Sequence, residues 1–275
     1  MENKNGTLAW TKFIALLVCL VLFVFPFLML LVNSFKENKA ITSSPLSLPH
    51  NFSWENYTNA FGKMEYVSAF TNSVIITVLS VVLISFLSAM TAHYFVRHQT
   101  KLNQYTFFLM VAAMIIPFQA IMIPLVKIYG SIGFLDSKWA LIYMYIGFGS
   151  PLAVFIYHGF VKSIPAELEE AALIDGCTRT QTFFRIVFPV LTPTTVTIAI
   201  LNVLWIWNDF LLPSLVLIAP VERTLPLSTF YFFGTYTVDY GPLMAGLMLT
   251  ILPVLIVYLF AQKYIIQGVM QGSIK

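Results

Sequence analysis

Six stretches of this sequence contain no Asp, Glu, Lys or Arg over at least 23 residues. A bilayer core about 30 Å thick is crossed by about 20 apolar residues in helical form, so each stretch is long enough to span it. We predict an all-α polytopic membrane protein forming a single transmembrane domain over residues 1–275, with six transmembrane helices. The predicted spans are Phe13–Phe35, Tyr66–Val96, Leu102–Val126, Trp139–Val161, Ile186–Asn208 and Tyr240–Gln262.

The composition excludes the other broad classes of protein. Hydrophobic residues make up 59% of the chain and charged residues only 10%, with a mean hydropathy of +0.83. Soluble domains carry about a quarter of their residues as charged side chains, so a soluble enzyme is excluded. The apolar content also excludes disorder. A net charge of +3 without a basic run gives no indication of nucleic-acid binding.

Two segments could be mistaken for other features. Lys4 and Lys12 precede the first apolar stretch, as in a signal peptide, but that stretch continues to about Val32 without a small-x-small cleavage site. It exceeds the usual core of about 7–15 residues, so we predict a retained helix. Phe210–Val221 has 12 residues and two prolines, which favours a re-entrant or interfacial segment.

Basic residues are unequally divided between the two sides of the predicted helices. If both termini share a side, that side holds nine, namely Lys4, Lys12, Arg97, Lys101, Lys162, Arg179, Arg185, Lys263 and Lys275. The other side holds six, namely Lys36, Lys39, Lys63, Lys127, Lys138 and Arg223. Lys and Arg favour the cytoplasmic side. We therefore predict a multi-pass membrane protein with cytoplasmic termini and extracytoplasmic loops at 36–65 and 209–239.

The cytoplasmic loop at 162–185, between the fourth and fifth predicted helices, differs in composition from the spans. It contains Glu167, Glu169, Glu170 and Asp175, four of the twelve acidic residues. Ser163 as a cap, a proline two residues on and acids in the first turn predict a helix start. Gly176 predicts its end, and Thr178 a second start. The loop is expected to form a helix, a turn and a helix.

The helical periodicity assigns two faces to this loop helix. Ile164, Leu168, Ala171 and Ala172 share a face that can rest on the membrane bundle, whereas Glu170, Leu173 and Ile174 lie on the other side. Two interpretations remain open from spacing alone. The helix can stabilise its own bundle as an interfacial amphipathic helix, or it can dock a soluble partner.

The loop resembles a known motif. Glu170-Ala171-Ala172, Gly176 four residues later, then nine residues to Ile186 and Pro189, is similar to the pattern E-A-A-x3-G-x9-I-x-L-P, with Phe188 in place of leucine. This is the EAA loop of permease subunits of binding-protein-dependent ABC importers. Further resemblance, at Trp54–Tyr57, Trp207–Phe210 and Gln262–Gly268, extends to the carbohydrate-uptake branch and the smaller permease of maltose-type transporters.

The resemblance implies which partners the protein has and which subunits bind ATP. Glu170, Ala171, Ala172, Gly176, Ile186 and Pro189 would form the contact with an ATPase subunit. The expected assembly contains a second homologous permease, two ATPase subunits, an extracytoplasmic solute-binding protein and the membrane lipid. The sequence lacks a G-x-x-x-x-G-K-[ST] loop, so we expect no cofactor in this chain, with ATP and Mg on the ATPase subunits. Its histidines show no metal-like pairing, so no metal site is predicted.

Sugars are bound by amides, hydroxyls and aromatic faces. The candidate residues for a substrate pathway are Asn72, Ser73, Gln119, Asn202, Trp205, Asn208 and Asp209. Alternatively, such polar residues hydrogen-bond neighbouring helices, and Trp lies at the membrane interface. The resemblance also makes Gly234, Tyr236 and Tyr240 candidates for contact with the binding protein, the alternative being an aromatic belt. Pro117, Pro124 and Pro193 are expected to bend their helices.

We therefore expect a transport subunit without its own ATPase site that moves a sugar or oligosaccharide delivered by an external binding protein. Two alternatives remain, an ABC permease for a polyol or phosphorylated solute and an ATP-independent carrier. The second is disfavoured because no charged residue lies inside the six stretches, where ion-coupled carriers place such groups.

Overall fold

The computed structural model describes residues 3–49, 51–234 and 237–273, with side chains described from residue 9 to 260 and for Gln262. Contacts divide the chain into two units. The first runs to Tyr66 and includes Ser228–Pro253, and the second comprises Val67–Leu227 and continues from Val254. Regular structure in the described residues is helical, apart from one antiparallel bridge between Phe233 and Val238.

The helices are numbered in chain order. They are α1 Asn3–Asn33, α2 Asn38–Ser43, α3 Glu55–Lys63, α4 Tyr66–Arg97, α5 Lys101–Ala113, α6 Phe118–Ser131, α7 Lys138–Val161, α8 Ala166–Ile174, α9 Arg179–Thr182, the π-helix Phe183–Val187, α10 Phe188–Val190, α11 Thr192–Asn208, α12 Leu211–Val216, the 3₁₀ helix Pro220–Glu222, α13 Leu225–Ser228, the 3₁₀ helix Thr229–Phe232 and α14 Tyr240–Ser273.

Four described helices are long and apolar enough to cross a bilayer alone, namely Ala9–Asn33 of α1, α4, α7 and Tyr240–Phe260 of α14. Two further candidates are bent pairs. α5 and α6 meet at 105°, and the segments Arg179–Val190 and Thr192–Asn208 meet at 74°. With each pair counted as one span the total reaches six, as the sequence predicts. α12 has only six residues, too short to cross a bilayer at 1.5 Å per residue.

Prolines lie at both bends. Pro117 immediately precedes α6, and Pro193 lies in the first turn of α11. Proline has no N–H to donate and its ring crowds the preceding turn, so a helix breaks before it. Pro124 lies inside α6 without ending it. Two of the three expected bends therefore fall at their prolines, and each is a full break between helices.

The second unit is built around α4 and α7. The buried positions of α4 are mostly small or hydroxyl-bearing, which permits close approach of a neighbouring helix. Large buried side chains on α7 include Leu141, Tyr145, Val154 and Tyr157, each at most 1% exposed. α1 is the opposite case, because none of the residues in its most apolar window is buried. The apolar side chains of α1 are therefore available for contact with the bilayer or with another protein.

In the first unit, a cluster of polar side chains joins the segments around α2, α3 and the start of α14. Lys63 Nζ donates to Asp239 Oδ2 over 2.8 Å, and Asn38 Nδ2 donates to Oδ1 over 2.9 Å. Asn38 Oδ1 accepts from the Gly241 N–H over 2.7 Å. We call Asp239, Lys63 and Asn38 the Asp239 cluster. The hydrogen bond from Lys63 holds the pKa of Asp239 below its ordinary value, against the effect of partial burial.

Candidate functional site

The loop at 162–185 folds as the expected helix, turn and helix, but it begins differently. α8 starts at Ala166 with Pro165 as its N-cap residue and no side-chain cap. The Ser163 hydroxyl instead donates to the Phe160 carbonyl oxygen over 2.7 Å, so the prediction that Ser163 caps α8 is wrong. Pro165 has no N–H that would need a cap. Glu167 and Glu169 do occupy the first turn, where the helix dipole favours acids.

The end of α8 agrees with the sequence. Gly176 has φ +88°, in the left-handed region that other residues rarely adopt. Its N–H donates to the Leu173 carbonyl oxygen, and the Cys177 N–H to that of Ala172. Thr178 then starts α9 through a capping box with Gln181. This geometry reverses the chain within a few residues.

The inward face of α8 is shifted from the predicted one. Ala172 is buried, and Ile164 is buried just before the helix, whereas Leu168 is 47% exposed and Ala171 is exposed. The assignment of Leu168 and Ala171 to the bundle face is therefore wrong. Glu169 lies between the buried positions. A helical wheel of α8 alone failed here because the partially buried Glu169 contacts residues of α4, which the pattern of α8 does not indicate.

Glu170 lies on the exposed surface of α8, as predicted, together with aliphatic side chains. Ile174 is 86% exposed and Leu173 43%. With Leu168 and Ala171 they form what we call the exposed face of α8. An acid surrounded by apolar side chains on a short surface helix is suited to contact with another protein.

Glu169 connects α8 to the end of α4. His93 Nε2 lies 2.8 Å from Glu169 Oε2, and Arg97 donates to Oε1 through Nε over 2.8 Å. Arg97 Nη2 also donates to the Ile164 carbonyl oxygen over 2.9 Å. We call Glu169, His93 and Arg97 the Glu169 cluster. Burial acts to raise the pKa of Glu169, but the hydrogen bonds and charges of Arg97 and His93 outweigh it and hold the pKa below its ordinary value.

The remaining motif residues follow α9 directly. Ile186 lies half-buried in the π-helix, and Pro189 is exposed in α10. α8 packs against this π-helix, so the chain brings the two parts of the motif side by side. π-helices are rare and are frequent at functional sites.

Three predicted pathway residues line one cavity. Gln119, Trp205 and Asp209 face a cavity of about 360 Å³ whose walls include the break between α5 and α6 and the ring of Phe148. Tyr145 donates to Asp209 Oδ2 over 2.9 Å, and its ring contacts that of Trp205 with centroids 5.4 Å apart. An amide, a carboxylate and aromatic faces on one wall can bind a polar ligand with apolar faces.

The other four pathway candidates are engaged within the protein. Asn72 donates to the carbonyl oxygens of Val221 and Arg223, and Ser73 accepts from the Leu225 N–H. Asn202 and Asn208 donate to carbonyl oxygens four residues earlier in their own helix, those of Ile198 and Leu204. Asn72, Ser73 and Asn202 are also buried, whereas Asn208 is exposed. None of these four lines the cavity of Gln119, Trp205 and Asp209.

The candidates for binding-protein contact lie in the first unit. The Gly234 N–H donates to the Thr237 carbonyl oxygen over 2.9 Å, and both Gly234 and Tyr240 are exposed. Tyr236 lies outside the described residues. The exposure of Gly234 and Tyr240 is compatible with either a protein contact or an aromatic belt, so their role stays a prediction.

The sequence did not predict the Glu169 cluster or the contacts of Tyr145 with Asp209 and Trp205. His93 and Arg97 lie four residues apart on α4, one above the other on one face, which is a visible signal for a shared partner. The partner itself, 76 and 72 residues away, is not indicated by any local pattern.

Comparison with known proteins identifies the family. Residues 82–271 match the model of the binding-protein-dependent transport system inner membrane component. The probable starch degradation products transport system permease protein AmyC of Thermoanaerobacterium thermosulfurigenes is 45% identical over 94% of both chains. The multiple sugar-binding transport system permease protein MsmG of Streptococcus mutans is 36% identical over the whole of both. The melibiose/raffinose/stachyose import permease protein MelC of Bacillus subtilis is 35% identical over 91% of both.

Solved structures share the fold. A chain of a bacterial ABC transporter involved in the import of the acidic polysaccharide alginate matches with a TM-score of 0.82 at 20% identity, covering 96% of this chain and 98% of that one. A chain of the alginate transporter in complex with a periplasmic protein matches at 0.69 and 16% identity, covering 94% and 93%. This all-helical chain with several apolar helices is a multi-pass membrane protein and a transport component, and it belongs to the family of inner membrane components of binding-protein-dependent transport systems.

Proposed function

We propose that this chain is a permease subunit of an ABC importer that carries a sugar or oligosaccharide across the bacterial cytoplasmic membrane. An external solute-binding protein delivers the substrate. Separate subunits bind ATP and Mg and hydrolyse the ATP. The observation that carries the proposal is the exposed face of α8, with Glu170 and Ala171 on a helix closed by Gly176. Sequence relatives at 35–45% identity are named as permeases for starch degradation products, for multiple sugars and for melibiose, raffinose and stachyose.

α8 is the docking element for an ATPase subunit in this proposal. Glu170 presents a charge that can fix the register of a partner, and Leu168, Leu173 and Ile174 present the apolar area that association buries. Ala172 is buried and fixes the helix to its own bundle. The π-helix that contains Ile186 packs against α8, and Pro189 follows in α10. The excess of Lys and Arg near α8 and the termini favours a cytoplasmic location for all three.

The second permease and the binding protein complete the assembly. α1 has no buried residue in its most apolar window, and it offers a long apolar surface to lipid or to a second membrane subunit. Gly234 and Tyr240 are candidates for the binding-protein contact, together with Tyr236. The related fold of a chain solved with a periplasmic protein supports a partner of this kind.

The cavity lined by Gln119, Trp205 and Asp209 is the candidate point of substrate contact in this subunit. Its aromatic faces and polar groups fit a saccharide, which presents both hydroxyls and C–H faces. Asn72, Ser73 and Asn202 are better explained as packing residues, given their burial and their hydrogen bonds to backbone groups, whereas the exposed Asn208 donates to a carbonyl oxygen of its own helix.

Charge reversal at the docking face tests the proposal. In cells that depend on the transporter, Glu170→Lys should abolish saccharide uptake while the protein still inserts in the membrane. Gly176→Pro should do the same, because proline cannot adopt φ +88°. Glu37→Lys, the same reversal at an exposed residue of the first unit, serves as the control and should retain uptake. Normal uptake by both loop variants would refute the proposal.

The substrate can be identified through the binding protein. Purified binding protein from the same transporter should unfold at a higher temperature in the presence of its ligand, because a ligand that binds only the native state stabilises it. We expect protection by a mono- or oligosaccharide. Protection by non-sugar solutes alone would overturn the assignment to sugars.

A further inference from the structure

The Glu169 cluster links α8 to a candidate membrane span, α4, through side-chain hydrogen bonds and an ion pair. Its three side chains are only 13–20% exposed. Glu169 uses both carboxylate oxygens, one towards His93 and one towards Arg97. Because His93 and Arg97 are one helical turn apart on α4, a single carboxylate is held at two points along that helix.

Arg97 holds the entry to α8 as well as its first turn. Its Nη2 donates to the Ile164 carbonyl oxygen, 2.9 Å away, and the same atom lies 2.7 Å from Glu169 Oε1. Ile164 belongs to the segment that leads from α7 into α8. The guanidinium, with its planar fork of donors, thus fixes that segment and α8 to the end of α4 at once.

His93 extends the link to the π-helix. Its ring lies 5.3 Å from the ring of Phe183, while Nε2 contacts Glu169. Two turns further back on α4, Phe86 stacks on Phe184 with ring centroids 5.2 Å apart. α4 therefore contacts both parts of the loop, through charge at α8 and through aromatic rings at the π-helix.

We infer that Glu169 is a positioning residue that transmits movement of α8 to α4, whereas Glu170 faces the docking partner. The inference rests on the proposed function, in which an ATPase subunit displaces α8. Two adjacent acids then have separate tasks. Glu169 is bound inside the subunit, and Glu170 is exposed. Without the charge on Glu169, the charge-assisted contacts with Arg97 and His93 are weakened, and displacement of α8 is passed to the span less completely.

The ratio of substrate transported to ATP hydrolysed measures this transmission. The complete transporter, with its binding protein, is reconstituted in lipid vesicles, and both rates are measured for Glu169→Gln. We expect the variant complex to retain its ATPase subunits on purification and to hydrolyse ATP, while the transport-to-hydrolysis ratio falls at least fivefold. A variant that is merely less stable would lose both rates together and keep the ratio.

Glu167→Gln is the matched control. Glu167 lies in the same first turn of α8, is exposed, and makes no salt bridge among the described residues. It should keep the wild-type ratio. A comparable fall in this control would reduce the effect to loss of acidic charge on the helix and would overturn the inference.

Reversal of the ion pair supplies the second variant. Arg97→Glu combined with Glu169→Arg restores an opposite-charge contact, and we expect it to recover part of the ratio lost in Glu169→Gln. If Glu169→Gln does not insert in the membrane, the double variant with the reversed pair is the test. A double variant that inserts and hydrolyses ATP but recovers no coupled transport would overturn the inference. A wild-type ratio in Glu169→Gln, or loss of its ATPase subunits on purification, would also overturn it. Failure of the proposed function is distinct, because the wild-type complex itself would then show no ATP-driven uptake.

Discussion

The two ion clusters, one in each unit, contain similar groups in different surroundings. The Glu169 cluster is mostly buried, with side-chain exposures of 13–20%, whereas in the Asp239 cluster Lys63 is 53% and Asp239 34% exposed. Water screens the charges of an exposed pair and solvates each of them when they separate, so such pairs contribute about 0–1 kcal/mol to stability. A buried charge that loses its partner is not solvated in this way. Similar distances, 2.7–2.8 Å, therefore correspond to unequal energies.

Arg97→Ala should produce the largest loss. It leaves the Glu169 carboxylate with His93 alone and removes the donor to the Ile164 carbonyl oxygen. Breaking a buried pair costs about 3–5 kcal/mol, and partial exposure reduces this to about 2–3 kcal/mol of unfolding free energy. Denaturant titration of the purified protein in mixed micelles measures it. Arg179→Ala, at an exposed arginine within the same loop, should change stability by less than about 0.5 kcal/mol. Equal losses would show that the buried ion pair of Arg97 contributes nothing beyond the loss of an arginine.

Gly241→Ala tests packing beside the Asp239 cluster, separately from its charges. A Cβ at Gly241 would lie 2.5–2.8 Å from the side-chain amide of Asn56. That amide donates to the carbonyl oxygens of Ser34 and Lys36 and cannot move freely. We expect a loss of about 1–3 kcal/mol in the same titration. Gly62→Ala, in α3 with no neighbour within 4 Å of the added Cβ, should be neutral or stabilising. A neutral Gly241→Ala would contradict the prediction.

Lowering the pH should remove the stabilisation that the charged Glu169 gives to the folded protein. Its pKa in the folded protein lies below the ordinary value of 4.5, so near that pH the unfolded chain binds more protons. The stabilisation is complete above the ordinary pKa and is lost as the pH falls through the lowered folded value. The stability gap between wild type and Glu169→Gln should therefore be constant near neutral pH and shrink below about pH 4.5. A gap that does not change in acid would show that burial, not charge, maintains it.

Asp239→Asn should produce the smallest effect. The amide can still accept from Asn38 or Lys63, and the lost attraction is an exposed one. We expect a loss of about 0.5 kcal/mol, decreasing further in high salt. Thermal unfolding at low and high ionic strength would measure it. A loss as large as that of Arg97→Ala would place the Asp239 cluster among the buried pairs.

Local features were predictable because each depends on neighbouring residues. Gly176 requires its left-handed backbone, and Thr178 caps the helix that follows it, as the sequence indicates. Pro117 and Pro193 mark the two bends. The apolar stretches indicate the candidate spans for the same reason, since the length of a stretch is set by the thickness of the bilayer.

Features that depend on distant residues were not predictable. The inward face of α8 is determined by Arg97 and His93 on α4, so a helical wheel of α8 alone placed it wrongly. Asn72 and Ser73 resemble pathway residues in the sequence, yet they bind the backbone of residues 221–225, about 150 positions away. Polar groups in a membrane are satisfied by whichever helix or loop lies opposite, and a linear pattern does not contain that information.

The π-helix at Phe183–Val187 affects how many residues the chain can hold between Gly176 and Pro189. A π-turn accommodates one residue more than an α-turn, so deleting a single residue here would let the segment relax into an α-helix. The extra residue would be gone but the turn would still close, so side chains beyond the deletion would keep nearly the same direction relative to α8. The same deletion in a regular α-helix would rotate them by about 100°. Pro189 and the start of α11 would therefore keep their azimuth. The π-helix thus lets the chain between Gly176 and Pro189 carry one more residue without rotating the membrane helix that follows.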